Sequence, residues 1–253
     1  ENRALCIDFG AGDVLKELRA LGVSRLDWVL HTHHHRDQCQ GDNLARKHGA
    51  RLAVPRYERF LFDEAENFWR NRRLYDVYNV RNTYFTLTQN IPVDADLADY
   101  EKFSWNGIEF TILPTPGHTY GSITLIAQID GKRVAFTGDL IASPGKVQTL
   151  YDLQFNYGGF DGVNHAILSL SNLQKENCEI LCPSHGVIIR DVDAAIDWTI
   201  RKLTEFYEFN TGAAPATQNQ YVEVLPGIYG SYASCSSHYA IVSKSGKALF
   251  VDY

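Results

Sequence analysis

The stretch His31-Thr32-His33-His34-His35-Arg36-Asp37-Gln38-Cys39-Gln40-Gly41 follows directly on an apolar run, Leu26 to Leu30. The run has the composition of a buried strand, and the cluster after it packs four imidazoles and a carboxylate into seven residues. Alternate side chains of an extended segment face the same way, so His33, His35 and Asp37 are expected to converge while His34 faces the other side. Imidazole and carboxylate are donors that zinc, iron and manganese accept, and catalytic sites with open coordination positions are built from such mixtures. The plain alternative is a solvated His-rich loop.

Working outward, Arg3 to Phe9 reads as a strand, Gly10 and Gly12 as a turn, and Asp13 as the cap of a helix running to Leu21-Gly22. Val23 to Thr32 is the next strand. Beyond the cluster, Asp42 is placed to cap a helix ending at His48-Gly49, and Arg51 to Val54 is a strand stopped by Pro55. This βαβαβ rhythm predicts an α/β layered fold.

From 56 to 100 the rhythm breaks into an insertion rich in aromatics, among them Phe60, Phe62, Phe68, Trp69, Tyr75, Tyr78, Tyr84 and Phe85. Its first part is expected to be helical, and the whole to act as a lid or wall over the cluster, joined by Tyr151, Phe155, Tyr157 and Phe160. Aromatics at helical spacing are otherwise packing residues. Phe103 to Leu113 predicts a hairpin turning at Asn106-Gly107, and Ser122 to Thr137 another turning at Asp130-Gly131. A helix from Val163 to Lys175, a short strand Glu179 to Cys182 and a long helix from Asp191 or Asp193 to about Phe209 follow. Residues 211–220 have linker composition, and 221–253 returns to strand patterning.

Of 253 residues 45% are hydrophobic and 21% charged, which suits a large globular core. The net charge of -6 argues against a general attraction to nucleic acid, and no apolar run is long enough to span a membrane. Five scattered cysteines without a CxxC pair fit reduced thiols and a cytoplasmic setting. The expected partner is a small-molecule substrate, with a homodimer or a tandem domain as possible neighbours.

Three more strand ends stop at tight glycine-containing turns, and each bears a candidate ligand: His118, Asp139 and His185. Strand ends along one edge of a sheet gather such groups into one pocket. THHHRDQ, TPGHT, TGD and PSHG, in this order and spacing, resemble the metal motifs of the metallo-β-lactamase superfamily over roughly residues 1 to 210. The resemblance implies an α/β fold, an αββα four-layer sandwich, as the core 1–210. It also implies that His33, His35 and His118 hold one metal, that Asp37 and His185 hold a second, and that Asp139 bridges the two. The family pattern HxHxDH ends here in Gln38. An amide oxygen is a weaker, uncharged donor, so two zinc ions are expected with the second bound more weakly, iron or manganese being alternatives, and Gln38 either ligates or only hydrogen-bonds. Cys39 is expected to be a small buried residue and not a ligand.

The resemblance implies a metal-dependent hydrolase that turns metal-activated water on an ester, thioester, lactone, amide or phosphoester, with Asp37 both binding metal and orienting the water. Fold does not choose among these substrates. Two other readings are an iron-dependent oxidoreductase similar to persulfide dioxygenases, and a degenerate ligand-binding unit of a multidomain protein. In the tail, Lys247 to Tyr253 (KALFVDY) repeats Arg3 to Phe9 (RALCIDF). This self-similarity predicts an excerpt from a longer protein with tandem or permuted units, in which residues 221–245 supply edge strands beside strand 4–8 of the same or a neighbouring chain.

Overall fold

The apolar run before the histidines forms β2 (Arg25–Leu30), buried along its last five positions. Its side chains alternate between two layers. Leu26 and Val29 pack with helix residues, while Trp28 and Leu30 pack into the space between two sheets. The computed structural model describes residues 2–72, 85–150, 152–153, 160–212, 214, 221–231 and 238–251. The chain divides into two units, Glu1–Phe206 and Tyr207–Tyr253.

In the first unit, β1 (Arg3–Ile7), β2, β3 (Arg51–Pro55) and β4 (Ala95–Leu97) form a parallel sheet in that order. Parallel neighbours need crossovers, and α1 (Val14–Ala20) and α3 (Asp42–Lys47) supply the first two. A second sheet runs β5 (Lys102–Trp105), β6 (Ile108–Pro114), β7 (Ile123–Ile129), β8 (Lys132–Gly138) and β9 (Ile180–Pro183), the last joined in parallel through α6 (Asp161–Lys175). With α7 (Val192–Thr211) these elements make the αββα sandwich. Both expected hairpin turns are present, with φ of 48° and 81° at Asn106-Gly107 and 50° and 76° at Asp130-Gly131, the left-handed pairs that two-residue turns require. Between the sheets, Phe110, Ile112, Ile123, Leu125 and Ala127 meet Trp28, Leu30, Ala53 and Leu97. Burying each large apolar side chain there contributes roughly 1.5 to 3 kcal/mol. Among the described residues no helix is long and apolar enough to cross a membrane.

Two expectations change. Gly41, not Asp42, precedes α3, since a Cβ there would come within 2.7 Å of the Ala11 carbonyl carbon; Asp42 is the first helical residue and turns its carboxylate inward. The tail forms its own antiparallel sheet of β10 (Tyr221–Leu225), β11 (Ile228–Ser231), β12 (His238–Val242) and β13 (Ala248–Val251). Among the described residues β1 pairs only with β2, so within this chain the tail does not supply the edge strand beside 4–8. Sequence-adjacent tail strands pair with one another because short connections cost less closure entropy than remote pairing.

The insertion is mixed in role. It opens with a 3-10 turn (Arg56–Glu58), α4 (Phe60–Asp63) and α5 (Ala65–Asn71), and Phe62, Ala65, Leu87 and Ile91 join the core under β3. The Trp69 indole donates to the Leu87 carbonyl at 2.7 Å and its ring packs on Phe68, so Trp69 ties the insertion to itself, and it is not among the described residues that line the cavity beside His35 and His118. Tyr75, Tyr78, Tyr84, Tyr151, Phe155 and Tyr157 lie outside the described residues.

Candidate metal centre

Past Leu30 the chain leaves strand geometry, and α2 (Arg36–Cys39) is a single helical turn. Alternation therefore holds for His33 and His35 but not for Asp37, which the turn swings to a neighbouring position. Two groups result: His33, His35 and His118, and beside them Asp37, Asp139 and His185, each with its ligand atoms within 4.8 Å of one another. His118 arrives on the loop after β6, Asp139 directly after β8 and His185 on the loop after β9.

In the first group the rings meet edge to face, with centroids 4.6 to 4.9 Å apart. His118 Nε2 lies 2.8 Å from His35 Nδ1. Asp139 Oδ2 stands between the groups, 3.2 Å from His118 Nε2 and 3.8 Å from both His33 Nε2 and His185 Nε2. In the second group His185 Nε2 is 2.9 Å from Asp37 Oδ2. The Gln38 amide nitrogen reaches both, at 3.1 Å to Asp37 Oδ2 and 2.9 Å to His185 Nε2.

Burial and the neighbouring imidazoles push His33 and His118 well below the ordinary histidine range, so both rings are neutral, the form that binds metal. Burial raises Asp139 to about 7, opposed by His185 and reinforced by Asp8, Asp37 and Asp152. The set fits a cation on one further observation. Among the described residues His33 Nε2 and Asp139 Oδ1 are buried with no hydrogen-bond partner, a costly state that a bound cation relieves.

Supporting groups fix the ligands. The Thr32 amide and hydroxyl donate to Asp8 at 2.9 and 2.8 Å, and the Ser184 hydroxyl donates to the same carboxylate at 2.7 Å. Because the Thr32 hydroxyl spends its proton on Asp8, it accepts from His33 Nδ1–H at 3.0 Å, which leaves the Nε2 lone pair facing the centre. His31 is wholly buried, with Asp42 oxygens 2.9 and 3.1 Å from Nε2 and Asp8 3.4 Å from Nδ1. Burial alone lowers its pKa, but the two carboxylates outweigh this and raise it to about 10. His34 faces away, as alternation predicts, and pairs with buried Glu58 at 3.0 Å. Burial pushes Glu58 up, yet His34, Thr119 and Gly121 together hold it below the usual carboxylate range. Cys39 is buried and its thiol donates to the His34 and His35 carbonyls, a structural place.

Sequence reasoning did not single out Asp8, Glu58 or Asp152, and it read Asp42 only as a helix cap. Asp8 had a readable signal, since it ends a strand before a glycine turn as the candidate ligands do, here at φ 53°. Asp152 had none; its carboxylate is 3.8 Å from His118 Nδ1, and burial, then Asp37, raises it to about 6. A cavity of about 390 Å³ opens on the first group, lined by His35, Arg36, Asp37, Phe85, His118 and Asp152 among others. The Phe85 ring lies edge-on to His35, with centroids 5.5 Å apart, so the insertion does reach the site through this residue.

Fold and ligand geometry together define a class. The chain belongs to the metallo-beta-lactamase superfamily, whose family model matches residues 1–185. It is 30% identical over 148 residues to a hydroxyacylglutathione hydrolase of Aeromonas salmonicida, covering 57% of this chain and 45% of that one. To the hydroxyacylglutathione hydrolase of Acidiphilium cryptum it is 32% identical over 136 residues, covering 53% and 43%. The chain thus spans under half the length of these curated relatives. Among solved structures it is similar to the Cronobacter sakazakii metallo-beta-lactamase with the HARLDQ motif, at a TM-score of 0.59 and 19% identity, covering 83% of this chain and 87% of that one. A metallo-beta-lactamase from Pontibacter korlensis gives 0.57 and 18%, covering 80% and 82%.

Proposed function

We propose that this chain is a metal-dependent hydrolase of a small acyl substrate, with a thioester as the first substrate class to assay. The observation that carries the proposal is the pair of adjoining ligand groups with Asp139 between them and two buried, unpartnered atoms aimed inward. In this reading His33, His35 and His118 would hold the tighter ion, and Asp37, His185 and Asp139, whose carboxylate stands between the groups, would hold a weaker second one. Zinc suits the imidazole-rich donor set. A divalent ion held there supplies Lewis-acid polarisation of the acyl carbonyl and acidifies a water.

The chain's own residues do the rest. Asp37 has a half-exposed side chain and lines the cavity, which places it to orient an attacking water and take up its proton. His33 is locked by Thr32 and Asp8, so its lone pair needs no reorganisation. Phe85 forms an apolar wall beside His35 and keeps bulk water from that ring. The hydroxyacylglutathione hydrolases favour the thioester class. The HARLDQ motif of the Cronobacter sakazakii protein, like His33 to Gln38 (HHHRDQ), ends in Asp-Gln.

The test is metal content by plasma mass spectrometry on untagged protein, with hydrolysis of a panel of thioesters, lactones and phosphodiesters. Zinc bound with thioester cleavage supports the reading. Iron bound with oxygen consumption would move the chain to the oxidoreductase class, and no metal with no turnover would leave only a ligand-binding role.

A further inference from the structure

We propose that Glu58 is a positioning residue that fastens the loop carrying His118 to the motif carrying His33 and His35. The inference rests on the ligand assignment above and extends it to a residue outside the four motifs. Glu58 ends the 3-10 turn after β3 and is 3% exposed. One carboxylate oxygen, Oε2, lies 3.0 Å from His34 Nδ1. The other, Oε1, accepts from the Thr119 hydroxyl at 2.5 Å and from the Gly121 amide at 2.9 Å. Since Thr119 gives its proton to Glu58, Ser122 donates to Thr119 Oγ1 at 2.5 Å and accepts from the Thr119 amide at 3.1 Å. Oε1 thus takes two hydrogen bonds from the His118 loop, while Oε2 meets His34 Nδ1 as a close ion-pair approach without hydrogen-bond geometry.

The positions joined are telling. His34 sits between ligands His33 and His35, and Thr119 follows ligand His118 directly. A single buried side chain thus links the neighbours of all three imidazoles, which come from segments more than 80 residues apart, His118 and His35 being separated by 83. The space is reserved for it, because a Cβ on Gly121 would come within 2.5 Å of Glu58 Cγ. Partners of this kind, one step behind the ligands, set ligand orientation before the ion arrives, and losing one lowers metal affinity by roughly 10- to 100-fold.

The experiment is zinc affinity by competition with a chromophoric chelator for the parent, Glu58→Ala, Glu58→Gln, Thr119→Val and Gly121→Ala. Folding is checked by circular dichroism in chelator. The expected result is a 10- to 100-fold loss for Glu58→Ala in the tighter site, and a smaller loss for Glu58→Gln, whose amide oxygen still accepts from Thr119 and Gly121. Gly121→Ala, which keeps the carboxylate but displaces it, should lose affinity as well. Folded variants that bind zinc within twofold of the parent would overturn the proposal, even if their melting points fell, because Glu58 would then be packing alone. If Glu58→Ala does not fold, Thr119→Val and Gly121→Ala decide on the same criterion. A parent that binds no zinc would refute the ligand assignment instead. The fastening would then be read from amide exchange of Gly121, which donates to Glu58, in metal-free protein: faster in folded Glu58→Ala supports it, unchanged rejects it.

Discussion

Replacing Asp42 with Asn removes one charge from a fully buried ion pair while keeping the side chain's shape. His31 and Asp42 are both fully buried, and without Asp42 the ring has only Asp8, at 3.4 Å. The rise of His31 from an ordinary 6.5 to about 10 corresponds to about 5 kcal/mol of preference for the charged ring. Burial raises Asp42 itself, which offsets part of this. Breaking one side of a buried pair costs about 3 to 5 kcal/mol, a large share of the roughly 5 to 15 kcal/mol that holds a domain together. The expected result at pH 7 is a melting point lower by about 6 to 20 °C, measured in chelator so that metal linkage does not contribute. The pH dependence has a definite sign. The folded pKa of His31 is raised, so its stabilisation is fully present below about 6.5 and is lost as the pH climbs through about 10. The gap between parent and variant should therefore be widest at pH 6 and narrow toward pH 10. A gap under about 1 kcal/mol, or one that does not change with pH, would mean that the pair is an ordinary neutral hydrogen bond.

His118→Ala should abolish hydrolysis and lose the tighter ion, since it removes one of three imidazoles; a full metal equivalent retained on mass spectrometry would refute the assignment. Gln38→His should tighten the second ion by adding a nitrogen donor, seen as a second high-affinity step in zinc titration; two tight steps already in the parent would contradict this. Gly186→Ala should displace the His185 loop, because φ is 102° and the new Cβ would sit 1.8 Å from the Ala142 carbonyl oxygen. Zinc per chain should then fall toward one while the first site survives, and unchanged stoichiometry would show that the loop adapts.

The layered fold was legible because its first strands are short apolar runs with clear stops, at the Gly10 turn, the histidine cluster and Pro55, and because Asn106-Gly107 and Asp130-Gly131 are turns with one preferred geometry. The candidate ligands were singled out where strands stop, and the structure brings them into two adjoining groups. What the sequence concealed was position across space. Glu58 lies in an insertion with no motif, and its partners Thr119 and Gly121 are more than 60 residues away. Trp69 looked like a cavity residue by composition, but an indole nitrogen needs an acceptor when partly buried, and the nearby Leu87 carbonyl provides it. The tail's likeness to β1 marked both segments as strands, and the tail's strands pair among themselves within this chain. Whether a strand pairs in parallel with a distant partner or antiparallel with its neighbour depends on connection length, which the repeat does not encode.

Alternation along the chain correctly grouped His33 with His35 and failed at Asp37, and the failure bears on chemistry. Had the strand continued, Asp37 would have joined the two histidines and Gln38 would have pointed away. The helical turn at Arg36–Cys39 instead brings Asp37 and Gln38 together against His185. Gln38 there directs its amide N–H groups at Asp37 Oδ2 and His185 Nε2, the two lone pairs that the proposed second ion would use. That ion must therefore displace two hydrogen bonds, each about 1 kcal/mol, before it gains its ligands. In the first group His33 Nε2 is unpartnered, while the 2.8 Å contact between His118 Nε2 and His35 Nδ1 has to open for an ion. At position 38 the residue type decides what the second group offers: a histidine would present a lone pair to an ion, whereas the glutamine must first turn its donors away.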